Sequence, residues 1–228
     1  EGFLARPFQS AKVLRMDLFD ERHQSMNQNG ERQSITWDLT DLYQNPKDPA
    51  WADDLKKGME KAKQFQSAYQ GTDLSALPPP AFFQALKEYE SIQEEGVKPY
   101  LYASLLFSED SQSKENRTLL QKAKEQWNEL ENQILFFRLA LIGLSEEKLR
   151  EVLAHPPLKT YEHALHFFRR FRPFTRTEKE EEIINRKNLT GRSAFTTLFD
   201  EFTGSFTFRV EVEGKEKELT GSEMLSLL

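Results

Sequence analysis

Residues 113–142 read SKENRTLLQKAKEQWNELENQILFFRLALI. Apolar side chains recur in this stretch at steps of three and four residues, which is the period of one face of an α-helix. The stretch therefore predicts a long helix from about Ser113 to Ile142, the longest in the chain, with Gly143 suited to its C-terminal cap. The predicted apolar face consists of Leu119, Ala123, Trp127, Leu130, Ile134, Phe137 and Leu141.

The same spacing predicts further helices on both sides of this stretch. Before it, one helix carries apolar residues from Trp51 to Tyr69, and another begins near Phe82. We expect Gly96 and Pro99 to break or kink that second helix, because proline removes a backbone donor and clashes with the preceding turn. After the long stretch, helices are predicted from Ser145, from Thr160 to about Arg172 with Tyr161, Ala164, Leu165, Phe168 and Phe171 inward, from the capping box at Thr177, and around Ala194, Leu198, Phe199 and Phe202.

Near the C-terminus the apolar period changes from 3.6 to 2. Phe206, Phe208, Val210 and Val212 alternate with polar residues, Gly214 supplies a turn, and residues 215–220 return. This pattern predicts one β-hairpin. The fold class is therefore mainly α, a multi-helix lobe with one β-hairpin near the C-terminus. We divide the chain into a poorly ordered lead-in at 1–33, a helical domain at 34–204, and a hairpin and helix start at 205–228.

Composition excludes several classes of protein. The 228 residues include 31 Lys and Arg, 37 Asp and Glu and no Cys, so the formal net charge is −6. A chain without cysteine has no disulfide framework, no zinc ribbon and no catalytic thiol. No stretch approaches the ~18–20 apolar residues that a membrane span needs, and the acidic balance argues against nucleic acid as the partner. We therefore expect neither a membrane nor a nucleic acid as partner.

Two of the four histidines, His163 and His166, lie three residues apart on a predicted helix. This spacing puts both rings on one face and could bind a metal, but no third ligand accompanies them. The sequence has no His-Glu-x-x-His zinc motif, no phosphate-binding loop and no nucleophile elbow. We therefore assign no catalytic, cofactor-binding or metal-binding residue to this chain.

A mixed aromatic and basic run follows, from Phe167 to Arg172. It could contact nucleic acid or a peptide carboxylate, although a helix C-terminus with core aromatics and arginines suited to the dipole explains it more simply. The acidic run at 178–182 has the pattern of a solvated helix start, and the sequons at Asn116 and Asn188 match by chance. We keep His163, Arg169, Arg170 and Arg172 only as candidate contacts.

Six segments together resemble oligoendopeptidase F, a group of zinc metallopeptidases within the peptidase M3 family. They are Trp37–Tyr43, Tyr100–Phe107, Trp127–Leu130, Thr175–Glu182, Gly191–Phe199 and the hairpin Phe206–Thr220. Gly191–Phe199 matches the family's Gly-x-x-Ala-Trp-x-x-Leu run with Phe195 in the place of Trp. The resemblance covers roughly residues 34–228 and rests on the order and spacing of these segments.

The resemblance implies the N-terminal, substrate-channel-forming lobe of a cytoplasmic enzyme that hydrolyses short peptides. In such enzymes two His and a Glu hold zinc, which polarises the scissile carbonyl and lowers the pKa of a bound water. Those ligands would lie C-terminal to this chain, so the chain alone is expected to bind no zinc and to be inactive. The implied partners are the missing catalytic domain and short peptides.

Both ends of the chain also favour a fragment. The sequence begins at Glu1, and the capping box Thr220-Gly221-Ser222-Glu223 opens a helix that receives only about two turns before residue 228. A short docked terminal helix is the plain alternative interpretation of the C-terminal end.

The alternative function is a stand-alone helical module that binds a partner protein through an apolar groove. The fragment hypothesis instead predicts an exposed apolar face near the hairpin and at residues 225–228.

Overall fold

The computed structural model describes residues 38–212 and 214–225, apart from the side chains of residues 215, 222 and 223. The predicted lead-in at 1–33, Trp37 and the last three residues lie outside this part of the chain. The side chain of residue 223, which the predicted capping box at 220–223 needs, also lies outside the described part.

The architecture is mainly α with one antiparallel hairpin, which confirms the fold class. The helices are α1 (Pro49–Tyr69), α2 (Pro79–Glu109), α3 (Lys114–Gly143), α4 (Glu146–Leu153), α5 (Glu162–Arg169), α6 (Glu178–Thr190), α7 (Arg192–Gly204) and α8 (Gly221–Leu225), and the strands are β1 (Thr207–Val212) and β2 (Lys215–Thr220). Within the described residues, no helix is both long and apolar enough to cross a membrane.

Helices α1, α2 and α3 form the body of the molecule. The main core lies between them and is closed by α4, α5 and the turn Pro156–Tyr161; a smaller core joins Tyr43 and Trp51 to the C-terminal half of α2. The three helices approach closely where Gly58, Gly96 and Leu130 meet: a Cβ added at Gly96 would lie 2.7 Å from Leu130 Cδ1. The predicted stripe of α3 is confirmed in its centre, since Ala123, Leu130, Ile134, Phe137 and Leu141 are buried.

The prediction that Gly96 and Pro99 break the second helix is wrong. α2 continues through both residues over 31 residues, one more than α3, so the expectation that α3 is the longest helix is also wrong. The reason is tertiary packing. α2 buries side chains in both cores, on either side of Pro99, and Trp51 Nε1 donates a hydrogen bond to the Pro99 carbonyl at 3.1 Å. Burial on both sides outweighs the cost of an internal proline, which is about 3 kcal/mol.

The single helix expected from Thr160 to Arg172 is also divided. Pro156–Tyr161 and Arg172–Phe174 are 3₁₀ turns, and only α5 between them is α-helical. The amides of Arg170 and Phe171 already bond three residues back, to Phe167 and Phe168 at 3.2 and 3.0 Å. This tightening ends α5 before Pro173, which cannot continue a helix.

The capping boxes and the hairpin explain the remaining element starts. Thr177 and Glu180 form the predicted reciprocal cap of α6, and Ser113 and Ser145 cap α3 and α4. The hairpin pairs Thr207 with Thr220 and Val212 with Lys215. Gly214 has φ +75° in its turn, a conformation that glycine adopts without a steric cost.

Candidate interaction surface

The sequence-predicted contact residues do not converge on a site. His163, His166, Arg170 and Arg172 are exposed on α5 and the turn after it. Throughout residues 38–212 and 214–225, no three His, Asp or Glu side chains are placed to hold a metal ion. The aromatic residues of the run pack among themselves and onto the core: the rings of Phe167 and Phe171 are 5.2 Å apart, and Phe168 lies against the main core.

Arg169 has a structural role that explains much of this run. Its Nε donates to the Leu144 carbonyl at 2.9 Å, and its guanidinium pairs with Glu146 at the start of α4. The side chain is largely buried, so it locks the C-terminus of α5 to the α3–α4 turn. Asn116 is engaged in a similar way, since its amide donates to the Leu106 carbonyl at 2.9 Å.

A partly buried carboxylate on α3 was not indicated by the sequence. Glu131 lies 3.9 Å from Arg138, and its side chain is about a quarter exposed. Desolvation raises the pKa of Glu131, and the nearby Arg138 only partly opposes this rise. Burial likewise raises the pKa of Tyr89 to about 12, although Arg138 lowers it somewhat. A glutamate within a helical stripe of mixed polarity gives no sequence signal that separates it from a solvated one.

The most unusual feature is the orientation of α7, which turns its polar side toward the body of the molecule. Lys124 on α3 donates to the Thr197 hydroxyl at 2.7 Å, and Arg117 forms an ion pair with Glu201 at 3.2 Å. Gln112 donates to the Glu201 carbonyl at 2.9 Å. Ordinary surface helices pack their apolar face inward; α7 does the reverse.

The apolar side of α7 consequently faces solvent. We call Phe195, Leu198, Phe199 and Phe202 the α7 stripe; they follow the i, i+3, i+4, i+7 spacing of one helical face. Their exposed fractions are 72%, 59%, 65% and 62%. Neither α6 nor α7 contains a buried residue.

Exposed apolar residues extend from the stripe to its neighbours in the chain. The ring of Phe202 lies 4.8 Å from that of Phe206, which begins the hairpin. Phe208, on the first strand, and Leu225, in α8, are also exposed. Ile183 and Ile184 expose further apolar surface on α6. The apolar face expected near the hairpin is therefore present in the described residues.

The seam between α3 and the α6–α7 pair is polar and loosely packed. On the α6 side, Asn128 donates to the Asn185 carbonyl at 3.0 Å and Arg186 pairs with Glu129 at 3.3 Å. On the α7 side, an open pocket of about 210 Å³ lies beside the contact between Lys124 and Thr197, and Leu198 also lines it. Partial burial lowers the pKa of Lys124, although nearby carboxylates oppose this. Hydrogen bonds and ion pairs, rather than an apolar core, hold α6 and α7 in place.

The sequence indicates the two faces of α7 but not their orientation. The small and polar positions Ser193, Thr197, Glu201 and Gly204 recur at steps of three and four residues, opposite the apolar set. Periodicity identifies the helix and its two faces, but it does not state which face meets the rest of the chain. The apolar face of a helix packs inward only when other elements of the same chain present an apolar surface to it.

Comparisons with known proteins all find peptidases, and two of them name oligopeptidase F. Residues 141–208, which span α4 to α7 and reach the hairpin, match the family model described as Oligopeptidase F. Oligopeptidase PepF of Bacillus subtilis (strain 168) is 23% identical over 227 residues, covering 96% of this chain. The crystal structure of a proposed peptidase from Chlamydophila abortus is similar with a TM-score of 0.50 and 25% identity over 85% of this chain.

The chain spans 33% of the length of each of these two relatives. The sequence match, the family model and the structural neighbour together support the resemblance of this chain to an oligoendopeptidase F-like N-terminal region.

Proposed function

We propose that this oligoendopeptidase F-like N-terminal region is the substrate-channel-forming lobe of a zinc metallo-oligopeptidase that hydrolyses short peptides. The catalytic segment of that cytoplasmic enzyme lies outside these 228 residues. The observation that carries the proposal is the reversed packing of α7 inside the family match: the element turns its aromatic residues away from the lobe, as an element does when a larger assembly covers it.

Zinc is proposed only for the longer enzyme. The described residues do not fit it, because His163 and His166 are exposed and no third acidic or histidine ligand is placed beside them. None of the zinc ligands is therefore assigned to this chain. The lobe's own contribution is the rigid three-helix body, which would form a channel wall and limit entry to short, flexible peptides. Exposed His163, Arg170 and Arg172 remain candidates for contact with peptide.

The test compares two proteins: the 228-residue chain and the product of the gene that encodes it, extended to its own stop codon. Each is incubated with a short internally quenched peptide, with and without added Zn²⁺ and after chelation. We expect zinc-dependent cleavage by the extended protein and none by the chain alone. Zinc-dependent cleavage by the chain alone, or no cleavage by the extended protein, would overturn the proposal.

The stand-alone interaction module makes a different prediction at the same surface. It requires that the gene end near residue 228 and that the chain be a cooperatively folded monomer whose stripe binds another protein. Sequencing of the coding region beyond Leu228 separates the two hypotheses, since a His-Glu-x-x-His motif there supports the peptidase and an immediate stop codon supports the module.

A further inference from the structure

We infer that the α7 stripe is the surface on which the remainder of the same polypeptide docks. This inference rests on the proposed function, because it takes the remainder to be the catalytic part of the enzyme. It adds two points to that function. The α7 stripe forms the interface on this chain, and the surface that binds it is an apolar surface of the same polypeptide, C-terminal to residue 228.

The first step is the size of the exposed apolar surface. A fully exposed aromatic side chain presents about 150–250 Å², so the stripe alone exposes roughly 500 Å². The largest apolar patch of an ordinary monomer is about 300–600 Å². The stripe reaches this range by itself, before Phe206, Phe208 and the two isoleucines of α6 are added. The largest apolar patch of a monomer is often functional, and patches that exceed this range mark interaction sites.

The second step is that the stripe cannot be covered by a simple rotation of α7 onto its own lobe. The opposite face is already engaged through Thr197 and Glu201, whose partners Lys124, Arg117 and Gln112 lie on or directly before α3. The surface of α3 that faces α7 is correspondingly polar. Turning the aromatic residues inward would bury these charges without partners, at a cost of about 1–3 kcal/mol or more for each group.

The third step concerns the occupant. Both matched relatives are at least about two and a half times as long as this chain, and the family match includes α7 itself. Contacts also join the stripe to the elements that follow it: the ring of Phe202 meets that of Phe206 edge-to-face, and Gly221 at the start of α8 lies beside the Phe208 ring. A continuation of the polypeptide therefore starts next to the stripe, at a high effective concentration.

The experiment measures burial of the stripe by thiol labelling, which is clean in this chain because it contains no cysteine. Phe199→Cys and, independently, Phe195→Cys are introduced into the 228-residue chain and into the extended gene product. Lys57→Cys, on the exposed side of α1, is the reference for thiol reactivity. Labelled sites are identified by peptide mass spectrometry, so additional cysteines in the extended protein do not interfere.

We expect the labelling rate at both stripe positions, relative to the Lys57→Cys reference, to fall about tenfold or more in the extended protein. Equal relative rates in the two proteins would overturn the inference. So would protection that appears in the isolated chain as its concentration rises and is absent from the extended protein, since that result assigns the stripe to a second copy. A gene that ends at residue 228 would overturn it as well.

Failure of this inference is distinguishable from failure of the proposed function. Peptide cleavage by the extended protein with an unprotected stripe rejects the docking surface and leaves the peptidase. A protected stripe in an extended protein that cleaves no peptide rejects the peptidase and leaves the docking surface.

Discussion

At the scale of single residues, the packing of the three-helix body leaves room only for glycine at one point, where Gly58 and Gly96 meet Leu130. A Cβ at Gly96 would lie 2.7 Å from Leu130 Cδ1 and 3.1 Å from Trp127 Cζ3, and a Cβ at Gly58 would lie 3.3 Å from the same Leu130 atom. A side chain added at either glycine would therefore meet the same atom of Leu130. Glycine is required here by helix packing and not by backbone conformation.

We therefore predict that Gly96→Ala lowers the free energy of unfolding by about 1–2 kcal/mol, because overpacking costs more than the alanine gains in helix propensity. Urea denaturation measures the change. Gly143→Ala is the matched control, since a Cβ there meets nothing within 4 Å, and it should be neutral or stabilise by up to about 1 kcal/mol. Equal effects of the two substitutions would contradict this account of the packing.

Glu131 gives a pH prediction. Its pKa is raised by desolvation in the folded protein, so folding favours its protonated form. That contribution to stability is fully present below the ordinary glutamate pKa and is lost as the pH rises through the raised value. Glu131→Gln should therefore increase stability at pH 7 and flatten the decline in melting temperature above about pH 4.5.

The control for this titration is Glu125→Gln on the exposed side of the same helix. It removes the same charge but should leave the shape of the stability profile unchanged. If both variants alter the melting temperature equally between pH 4 and pH 8, overall charge is responsible and the buried position is not.

At the scale of elements, predictability from the sequence depended on whether an element's environment is local. The capping box at Thr177 and the helix starts at Ser113 and Ser145 depend on residues within one turn, and all three were predicted. The continuity of α2 through Pro99 depends on Trp51, 48 residues away, and on burial in two cores. The outward orientation of α7 could likewise not be predicted, because the periodicity of a helix does not say what covers its apolar face.

Helix α6 provides the prediction at this scale. It has a complete capping box at Thr177 but no buried residue, so its stability is local. Thr177→Ala should cost about 1 kcal/mol of local stability and speed amide hydrogen exchange in α6 about fivefold, while exchange in α2 and α3 stays unchanged.

Ser145→Ala is the matched comparison for that cap. Ser145 caps α4, whose Leu149 and Val152 are fully buried in the main core. Loss of this cap should lower the free energy of global unfolding, because α4 does not open without the core. Faster exchange in α3 caused by Thr177→Ala would mean that α6 and the body unfold as one unit, against the polar seam described above.

At the scale of the whole molecule, the chain combines a body with an apolar core and a C-terminal part whose apolar side chains face outward. The body, α1 to α5, buries its apolar faces. The α6–α7 pair contains no buried residue and is attached to α3 through hydrogen bonds and ion pairs. Surface ion pairs contribute only about 0–1 kcal/mol each. The stability of the isolated chain therefore resides in the body, and its capacity to associate resides in the α7 stripe.

This division predicts that the two properties can be changed separately in the 228-residue chain. The double substitution Phe195→Ser and Phe199→Ser should reduce binding of a hydrophobic fluorescent dye and reduce self-association measured by sedimentation velocity. Its free energy of unfolding should stay within about 0.5 kcal/mol of the unsubstituted chain, because both rings are mostly exposed.

Leu149→Ala, in the main core, should do the opposite: it should lower stability by about 2–5 kcal/mol and leave dye binding by the folded protein unchanged. A large loss of stability in the stripe variant would show that the aromatic residues of α7 support the lobe itself, and the stripe would then no longer qualify as a surface kept free for another part of the polypeptide.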